Sequence, residues 1–392
     1  DQTGRLQRLV SEGFQGIIRA TSPTLAIAEI SMMDSAKIQE EDAERANEEE
    51  FTVHEPALPL YTVKDVEKTL RLLKNANLDE WYEAAKGIKY RFRKNGHILG
   101  ATFIEMDIFG KIFVFSGDIG RDKDLLLAPP DRPEWADYLF MESTYGDRLH
   151  PDEDADVILA NTIHKSLEKN GTLIIPSFAV ERLQILMFRI WKLYEQNKIP
   201  PIPVFIDSPM GNEVYSVFER FPNWHKLSGQ ELHAMKNFFK IITSYKDTWK
   251  TVDDKRPKVV IAGSGMVTGG RVLTYLRYYL EKSQTTVLLV GFQAEGTRGR
   301  QLMEGAHDIK IFGKYCVVKA EVKSINSLSA HADQKGLLNW VSNIKNIPET
   351  VFLIHGEEMA RDVLRVKIKD TYGWKVHLPQ INEVIEIIIG EK

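Results

Sequence analysis

Four of the ten histidines in the sequence stand next to glycine or another small residue, and two acidic residues share this setting. Small neighbours leave room for a metal ion or a substrate to approach, and imidazole together with carboxylate suits zinc or a similar divalent cation. The candidates are His97 in NGHILGA, His307 in EGAHDIK, His331 in LSAHADQ, His355 in LIHGEE, Asp118 in FSGDIGR and Glu142 in MESTYGD. These residue types therefore favour a metal centre.

The rest of the composition narrows the ligands that such a centre can use. Cys316 is the only cysteine, so the chain has no internal disulfide and no zinc site built on several thiolates. Taken singly, a histidine is more often a surface or core residue than a ligand, and His307 stays in that group. The same interpretation applies to the six other histidines: His54, His150, His164, His225, His233 and His377.

Seven short β-rich runs that end in a polar or small residue are the main architectural signal. The runs are KIFVFSGD, YLFMES, TLIIPSF, PVFIDSP, KVVIAGSG, TVLLVGFQ and TVFLIHGE. Segments before and between them, such as VKDVEKTLRLLKN and VERLQILMFRIWKLYEQN, have apolar residues at three- and four-residue spacing and predict helices. Alternating strands and helices predict an α/β fold, in which reactive side chains collect where strands end. The acidic stretch 40–50 is interpreted as a solvated helix end or loop.

Length and charge exclude some classes of protein. A chain of 392 residues with 43% hydrophobic content predicts two domains, or one domain with a large insertion. No apolar stretch approaches the roughly 18 residues that span a bilayer, and the first residues lack a signal pattern, so a cytoplasmic location without a membrane partner is expected. The net charge of -4 argues against a strongly basic surface, although a local basic groove is compatible with it.

Six motifs occur in one order along the chain, and together they resemble the β-CASP branch of the metallo-β-lactamase fold, a family of nucleases in RNA processing and repair. They are DQTGRL, GHILGA, SGDIGR, ESTYGDR, SAHAD and HGEE. PSFAVERLQ, DSPM, GSGMVTGGR and GFQAEGTRGR extend the resemblance over nearly the entire chain. It implies an α/β architecture: a metallo-β-lactamase αββα sandwich at 1–147 and 327–392, with an inserted α/β β-CASP domain at 148–326.

The family has an early His-x-His-x-Asp-His metal motif, and Asp1 matches its aspartate. The resemblance therefore implies that two histidines and an N-terminal part of the sandwich lie upstream of the sequence. Gln2 stands where the family has its last histidine. The complete site of the family implies two zinc ions. One is bound by His97 and Asp118. The other is bound by Asp1, Asp118 and His355, so Asp118 bridges the two.

The resemblance also implies catalytic roles. Two divalent ions about 4 Å apart lower the pKa of water and neutralise charge during attack on phosphorus. His331 matches the histidine that protonates the leaving 3′ oxygen, and Glu142 matches the acid that orients it, which makes Asp118, His331 and Glu142 the catalytic set. His355 is typical of the RNA-directed members, whereas DNA-repair members tend to have an apolar residue there. A zinc-dependent ribonuclease that cuts single-stranded RNA and leaves a 5′ phosphate is expected.

The inserted domain is expected to close over the metal site and to form a cleft for single-stranded RNA. Hydroxyls, backbone N–H groups and a helix N-terminus at its strand ends could hold phosphates. The candidate RNA-binding residues are Ser177, Arg182, Ser264, Gly265 and Arg271. Glycines in these motifs also serve tight packing between strands and helices, which is the alternative interpretation of the same residues.

Two other functions remain open. A catalytically silent paralogue that binds RNA or a nuclease partner as a scaffold is favoured by Gln2, whereas a DNA-repair nuclease is opposed by His355. The residues do not choose between endonuclease and exonuclease, and they do not specify the RNA target. Oligomeric state is also open, with a homodimer among the compatible states.

Overall fold

The computed structural model describes residues 4–48 and 54–389 of the chain. The chain divides into two compact units: unit 1 is Asp1–Leu149 with His331–Lys392, and unit 2 is His150–Ala330. Within the described ranges, no helix combines the length and the apolar character that crossing a bilayer demands.

The described helices and strands follow in chain order. The first segment of unit 1 contains α1 (Leu6–Ser11), β1 (Ile18–Ala20), α2 (Ser22–Glu48), α3 (Val63–Leu72), β2 (Leu73–Asn75), β3 (Tyr82–Ala85), β4 (Ile88–Lys94), β5 (Thr102–Ile108), β6 (Lys111–Phe115) and β7 (Tyr138–Glu142). Unit 2 contains α4 (Ala155–Glu168), β8 (Thr172–Pro176), α5 (Arg182–Glu195), β9 (Val204–Asp207), α6 (Pro209–Arg220), a 3₁₀ turn (Pro222–Trp224), α7 (Gly229–Phe238), β10 (Lys240–Ile241), α8 (Tyr245–Asp253), β11 (Lys258–Ala262), α9 (Val272–Tyr279), β12 (Thr286–Val290), α10 (Arg298–Met303), β13 (Asp308–Ile311), β14 (Lys314–Val317) and β15 (Glu321–Ile325). The second segment of unit 1 contains α11 (Gln334–Val341), β16 (Thr350–Ile354), α12 (Glu358–Tyr372) and β17 (Val376–His377).

Unit 1 is built on a seven-stranded mixed sheet in the order β17-β16-β7-β6-β5-β4-β3. The strands β6, β7 and β16 are parallel, whereas β3 to β6 pair in antiparallel fashion. Buried side chains of the sheet, among them Phe103 and Leu139, form one core with Trp340 of α11 and Leu364 of α12. Because β6, β7 and β16 run in the same direction, the loops that follow them emerge at one edge of the sheet.

Unit 2 is built on a six-stranded sheet in the order β10-β9-β11-β8-β12-β15, and all of its strand pairs are parallel. Every residue of β8, β11 and β12 is buried. Continuous apolar runs such as VVI and VLLV are typical of strands that are covered on both faces, which is the usual state of a parallel sheet. The α/β fold predicted from alternating strands and helices is confirmed.

Two local predictions, the helix over VKDVEKTLRLLKN and the acidic helix end or loop at 40–50, can be compared with the structure. The helix predicted over VKDVEKTLRLLKN begins at a capping box between Thr62 and Asp65, where each side chain bonds the other residue's backbone N–H. It ends at Leu72, earlier than the pattern predicts, because residues 73–75 extend as β2 and pair with β1. The acidic stretch lies at the end of α2 as far as Glu48.

Candidate active site

Two loops bring His97 and Asp118 together at the edge of the sheet in unit 1. His97 follows β4, and Asp118 follows β6. The Asn95 amide donates a hydrogen bond to the Ser116 carbonyl, and the Gly120 N–H donates to the Asn95 carbonyl at 2.9 Å. A Cβ atom at Gly120 would lie 2.1 Å from the Gly96 carbonyl group. The close approach of the two loops therefore requires glycine, and it leaves His97 Nε2 3.8 Å from Asp118 Oδ2.

Glu142 and His331 form a buried pair next to these loops. Glu142 ends β7, and His331 is held by a β-bridge to Gly120 shortly before α11 begins. The His331 Nδ1 atom lies 3.0 and 3.1 Å from the two carboxylate oxygens of Glu142. The Ile119 N–H also donates to this carboxylate. Glu142 is only 1% exposed, so the carboxylate has a fixed position and holds the imidazole ring in one orientation.

His355 reaches the same cluster from the end of β16. Its Nδ1 atom lies 3.4 Å from Asp118 Oδ1. The His331 ring centroid lies 4.3 Å from that of His97 and 6.0 Å from that of His355. Ligand atoms of His97, Asp118 and His331 all lie within 4.8 Å of one another. The structure thus brings together five residues that stand far apart in the sequence.

The electrostatics of the cluster follow from burial and from neighbouring charges. Burial lowers the pKa of the His97 imidazole, and the positive charge of His331 lowers it further, to about 3. Burial alone would raise the pKa of Glu142, but the charge and the hydrogen bond of His331, together with Thr144, lower it to about 2. At neutral pH the His97 ring is therefore neutral, and Glu142 is ionised.

The donor set fits a zinc ion. Zinc in proteins is bound by deprotonated nitrogen and oxygen ligands, and a neutral imidazole presents the lone pair that the metal needs. His97, His331 and Asp118 supply two imidazoles and one carboxylate whose ligand atoms all lie within 4.8 Å of one another, and His355 adds a third imidazole, 3.4 Å from Asp118 Oδ1. Asp1 and Gln2 lie outside the described residues.

The hydroxyl and glycine candidates for RNA binding gather at the carboxyl edge of the sheet in unit 2. Ser177 follows β8, and its N–H donates to the Ala262 carbonyl of β11 at 2.9 Å. The Ser264 hydroxyl accepts hydrogen bonds from the N–H groups of Thr268 and Gly269 at 3.1 and 3.2 Å. A Cβ at Gly265 would lie 2.6 Å from the Phe178 ring, so the loop packs tightly at this point.

The two arginine candidates are engaged with other groups of unit 2. The Arg271 guanidinium lies 3.6 Å from the Asp207 carboxylate, donates to the Thr248 hydroxyl, and lies 4.7 Å above the Tyr245 ring. Arg182, which is buried, begins α5 and lies beside Gly291, where a Cβ would be 3.1 Å from Nη2. Arg271 therefore has polar partners within the unit, and Arg182 is packed against the backbone at Gly291.

Sequence reasoning missed the groups that surround Arg271. Thr248 and Tyr275 donate hydrogen bonds to the Asp207 carboxylate, both at 2.7 Å. They lie on α8 and α9 and belong to no chemical motif, so only the end of β9 in PVFIDSP signalled this network. Phe178, packed on Gly265, was also passed over, although it stands in the motif PSFAVER. His307 is exposed next to Asp308, as a surface histidine is expected to be.

Comparison with known proteins places the chain in a family. The Beta-Casp domain model matches residues 183–302, and the model of a Zn-dependent metallo-hydrolase RNA specificity domain matches residues 315–379. Ribonuclease TTHA0252 of Thermus thermophilus is 31% identical over 99% of this chain and 86% of its own length.

Two archaeal proteins are also similar. An RNase J-like protein of Methanocaldococcus jannaschii is 31% identical over 76% of this chain and 70% of its own length. The transcription termination factor FttA of Methanosarcina mazei is 27% identical over 92% of this chain, which spans only 57% of that factor. These matches and the histidine–carboxylate cluster agree with the resemblance read from the motifs: the chain belongs to the β-CASP family of the metallo-β-lactamase superfamily.

Proposed function

We propose that the chain is a zinc-dependent ribonuclease that hydrolyses phosphodiester bonds of single-stranded RNA and leaves a 5′ phosphate. One observation carries the proposal. The buried carboxylate of Glu142 lies 3.0 Å from His331 Nδ1 and orients this ring, whose ligand atom lies within 4.8 Å of those of Asp118 and His97. The similarity to a protein named ribonuclease supports RNA as the substrate class. His355, the residue type of the RNA-directed members of the family, points the same way.

His331 is the proton donor to the leaving 3′ oxygen. Glu142 accepts from Nδ1–H, so Nε2 is the ring atom left to carry the proton that is transferred. Because the pKa of Glu142 is lowered to about 2, its carboxylate stays charged at neutral pH and stabilises the protonated ring. A general acid in this position contributes about 10²–10⁴ in rate.

His97, Asp118 and His355 would hold zinc, together with Asp1 in the first family motif. The two oxygens of Asp118 lie near different imidazoles, Oδ2 3.8 Å from His97 and Oδ1 3.4 Å from His355, so this carboxylate could contribute to both ligand sets. When bound, zinc lowers the pKa of water and neutralises charge on the phosphate. His97 is poised for this role, since its low pKa leaves the ring neutral without competition from protons.

Unit 2 supplies contacts to the RNA backbone. Ser177 follows β8, and Ser264 and Gly265 follow β11, so that hydroxyl groups and backbone N–H groups at these strand ends would be the ones to contact phosphate oxygens. Arg271 uses one nitrogen on Asp207 and Thr248, and its other N–H groups remain for phosphate. Arg182 is a fifth contact. The cytoplasmic location and the homodimer stay predictions.

Replacing Asp118 with alanine tests the function. Asp118→Ala is expected to abolish cleavage of single-stranded RNA and to lower bound zinc, because one carboxylate serves both ions. Asp362→Ala is the matched control, since Asp362 lies on α12 and pairs with Arg365 on its own helix. Unchanged zinc content and cleavage in Asp118→Ala would remove Asp118 from the site. A wild-type chain that binds RNA and zinc without cutting would instead favour the silent scaffold.

A further inference from the structure

The hairpin formed by β13 and β14 carries exposed aromatic side chains that have no role in the proposed metal site or in the RNA contacts described above. Its strands pair Asp308 with Val317 and Lys310 with Tyr315. Alternate residues, Ile309, Ile311 and Cys316, belong to the core of unit 2. The opposite face and the tip carry Lys310, Phe312, Lys314 and Tyr315.

Phe312 and Tyr315 are far more exposed than aromatic side chains usually are. Phe312 is 57% exposed and Tyr315 is 69% exposed. Within residues 4–48 and 54–389, neither ring stacks on another aromatic side chain, and the Tyr315 hydroxyl has no hydrogen-bond partner. Two exposed aromatic rings, one in the turn and one on the following strand, provide surface on which planar groups can stack.

The exposed charges next to the turn of the hairpin are those of two lysines, Lys310 and Lys314. Neither Lys310 nor Lys314 forms an ion pair with an acidic side chain of the described residues. Asp308 is the only acid in the hairpin, and it lies at the open end, 3.2 Å from His307. Free ammonium groups beside exposed rings match a chain that has planar bases and negative phosphates in alternation.

Arg298 joins the hairpin to the glycine-rich loop at 263–271. Its guanidinium donates to the Lys310 carbonyl at 2.6 Å and to the carbonyls of Val267 and Thr268 at 3.3 and 3.1 Å. The hairpin is therefore fixed beside the loop that contains Ser264 and Gly265. One guanidinium thus links the two segments within unit 2.

A second hairpin shows that the turn sequence alone does not produce this surface. Residues 108–111 read IFGK, as do residues 311–314. In both turns phenylalanine has positive φ, +50° at Phe109 and +47° at Phe312, and Phe109 is 58% exposed. The β5–β6 turn differs in its surroundings, because the Phe109 ring lies against Gly87 and Lys111 pairs with Asp137 and Glu349.

From these observations we infer that the β13–β14 hairpin is a stacking platform for single-stranded RNA that extends the binding surface from the glycine-rich loop. Phe312 and Tyr315 stack on bases, and Lys310 and Lys314 contact phosphates. Stacking on an aromatic ring tolerates any base, so the platform adds affinity without sequence preference. The inference rests on the proposed function, since it takes RNA as the substrate.

The double variant Phe312→Asn, Tyr315→Thr tests the platform in the full chain. Asparagine accepts positive φ, and threonine suits a strand, so the hairpin is retained. Binding is measured by fluorescence anisotropy with a 2′-O-methyl oligouridine of about 20 nucleotides, which resists cleavage. The Kd is expected to rise at least about fivefold for each ring removed, in line with stacking on other single-strand-binding proteins. The cleavage rate at saturating unmodified RNA is expected to stay unchanged.

Two further measurements sharpen the test. Phe109→Asn, the matched change in the other IFGK turn, is expected to leave the Kd unchanged. Lys314→Gln is expected to reduce the slope of log affinity against log salt by about 0.7, the value for one phosphate contact on a single strand. A double variant that binds RNA as tightly as wild type overturns the platform, while wild-type cleavage leaves the ribonuclease intact.

Other outcomes are also decisive. A double variant whose RNA affinity is unchanged but whose sedimentation shows the loss of a dimer would mean that this face covers a second copy, and the RNA platform would be overturned. Wild-type protein that neither binds nor cuts RNA would overturn the proposed function and the platform together.

Discussion

Two buried carboxylates end parallel strands in the two units, and their surroundings differ. Glu142 ends β7 in unit 1 and is 1% exposed, and Asp207 ends β9 in unit 2 and is 0% exposed. Glu142 meets the imidazole of His331, which belongs to the histidine cluster. Asp207 meets two hydroxyl groups and a guanidinium. Both carboxylates end a parallel strand, but Glu142 is paired with a titratable ring, whereas Asp207 is paired with groups that keep their protons at neutral pH.

The pKa directions express this difference. His331 and Thr144 lower the pKa of Glu142 to about 2 in spite of its burial. Burial raises the pKa of Asp207 above its usual range, although Thr248, Tyr275 and Arg271 oppose the shift. Glu142 is held charged beside a proton carrier, which suits chemistry, whereas Asp207 anchors α8 and α9 to the sheet. Position at a strand end therefore indicates a candidate, and the partner decides its role.

Removing the proton carrier of unit 1 should have the largest effect on rate. His331→Ala is expected to slow RNA cleavage about 10²–10⁴-fold, because the leaving oxygen loses its general acid. Zinc content and RNA affinity should stay near those of wild type. His307→Ala, a change at an exposed histidine, is the control. Loss of zinc from His331→Ala would make His331 a ligand, a role that its distance to His97 and Asp118 also permits.

Breaking the pair in unit 2 should instead affect stability. Arg271→Ala leaves the Asp207 carboxylate buried without its cation, and removal of one partner of a buried pair costs roughly 3–5 kcal/mol. The free energy of unfolding from urea titration measures this loss. Asp207→Asn in the same chain should restore part of it, because the buried charge is gone. Equal stability of Arg271→Ala and wild type would show that the pair does not anchor the unit.

The contributions of the two carboxylates to the free energy of unfolding should change with pH in opposite directions. The folded pKa of Glu142 lies below its usual 4.5, so its contribution is complete above 4.5 and is lost as pH falls toward about 2. The folded pKa of Asp207 lies above 3.8, so its contribution is complete below 3.8 and is lost as pH rises through the raised pKa.

Urea midpoints of Glu142→Gln and Asp207→Asn between about pH 3.5 and 6 measure these slopes. The destabilisation by Glu142→Gln should grow with pH over the lower part of this range. The destabilisation by Asp207→Asn should shrink as pH rises. If the destabilisation changed with pH in the same direction in both variants, the proposed difference between Glu142 and Asp207 would be wrong.

The sequence predicts which residues form the candidate cluster better than it predicts hydrogen-bond partners across the fold. Asp118, Glu142 and His355 could be selected because each follows a β-rich run, and parallel strands carry such ends to one edge. Three-dimensional pairing could not be predicted: Thr248 and Tyr275 lie in ordinary helical segments, yet they fix Asp207. The end of α3 was missed because pairing of β2 with β1, a tertiary contact, overrides helical periodicity after Leu72.

The hairpin shows the same limit of sequence reasoning. Phe109 and Phe312 occupy identical IFGK turns with similar exposure. Only the structure distinguishes Lys111, which has two acidic partners, from Lys314, which has none among the described residues. Local sequence determined the conformation of the turn, and residues distant in sequence determined whether its lysine is paired with an acid.

In the proposed mechanism, His331 is oriented by Glu142 and donates the proton to the leaving 3′ oxygen. The most direct test uses an RNA in which sulfur replaces that bridging oxygen at one linkage, since a thiolate leaves without being protonated. Wild type and His331→Ala are compared at this linkage and at the normal one under single-turnover conditions. If His331 is the general acid, the rate should fall about 10²-fold or more with oxygen and less than about tenfold with sulfur. An equal loss on both substrates would contradict it.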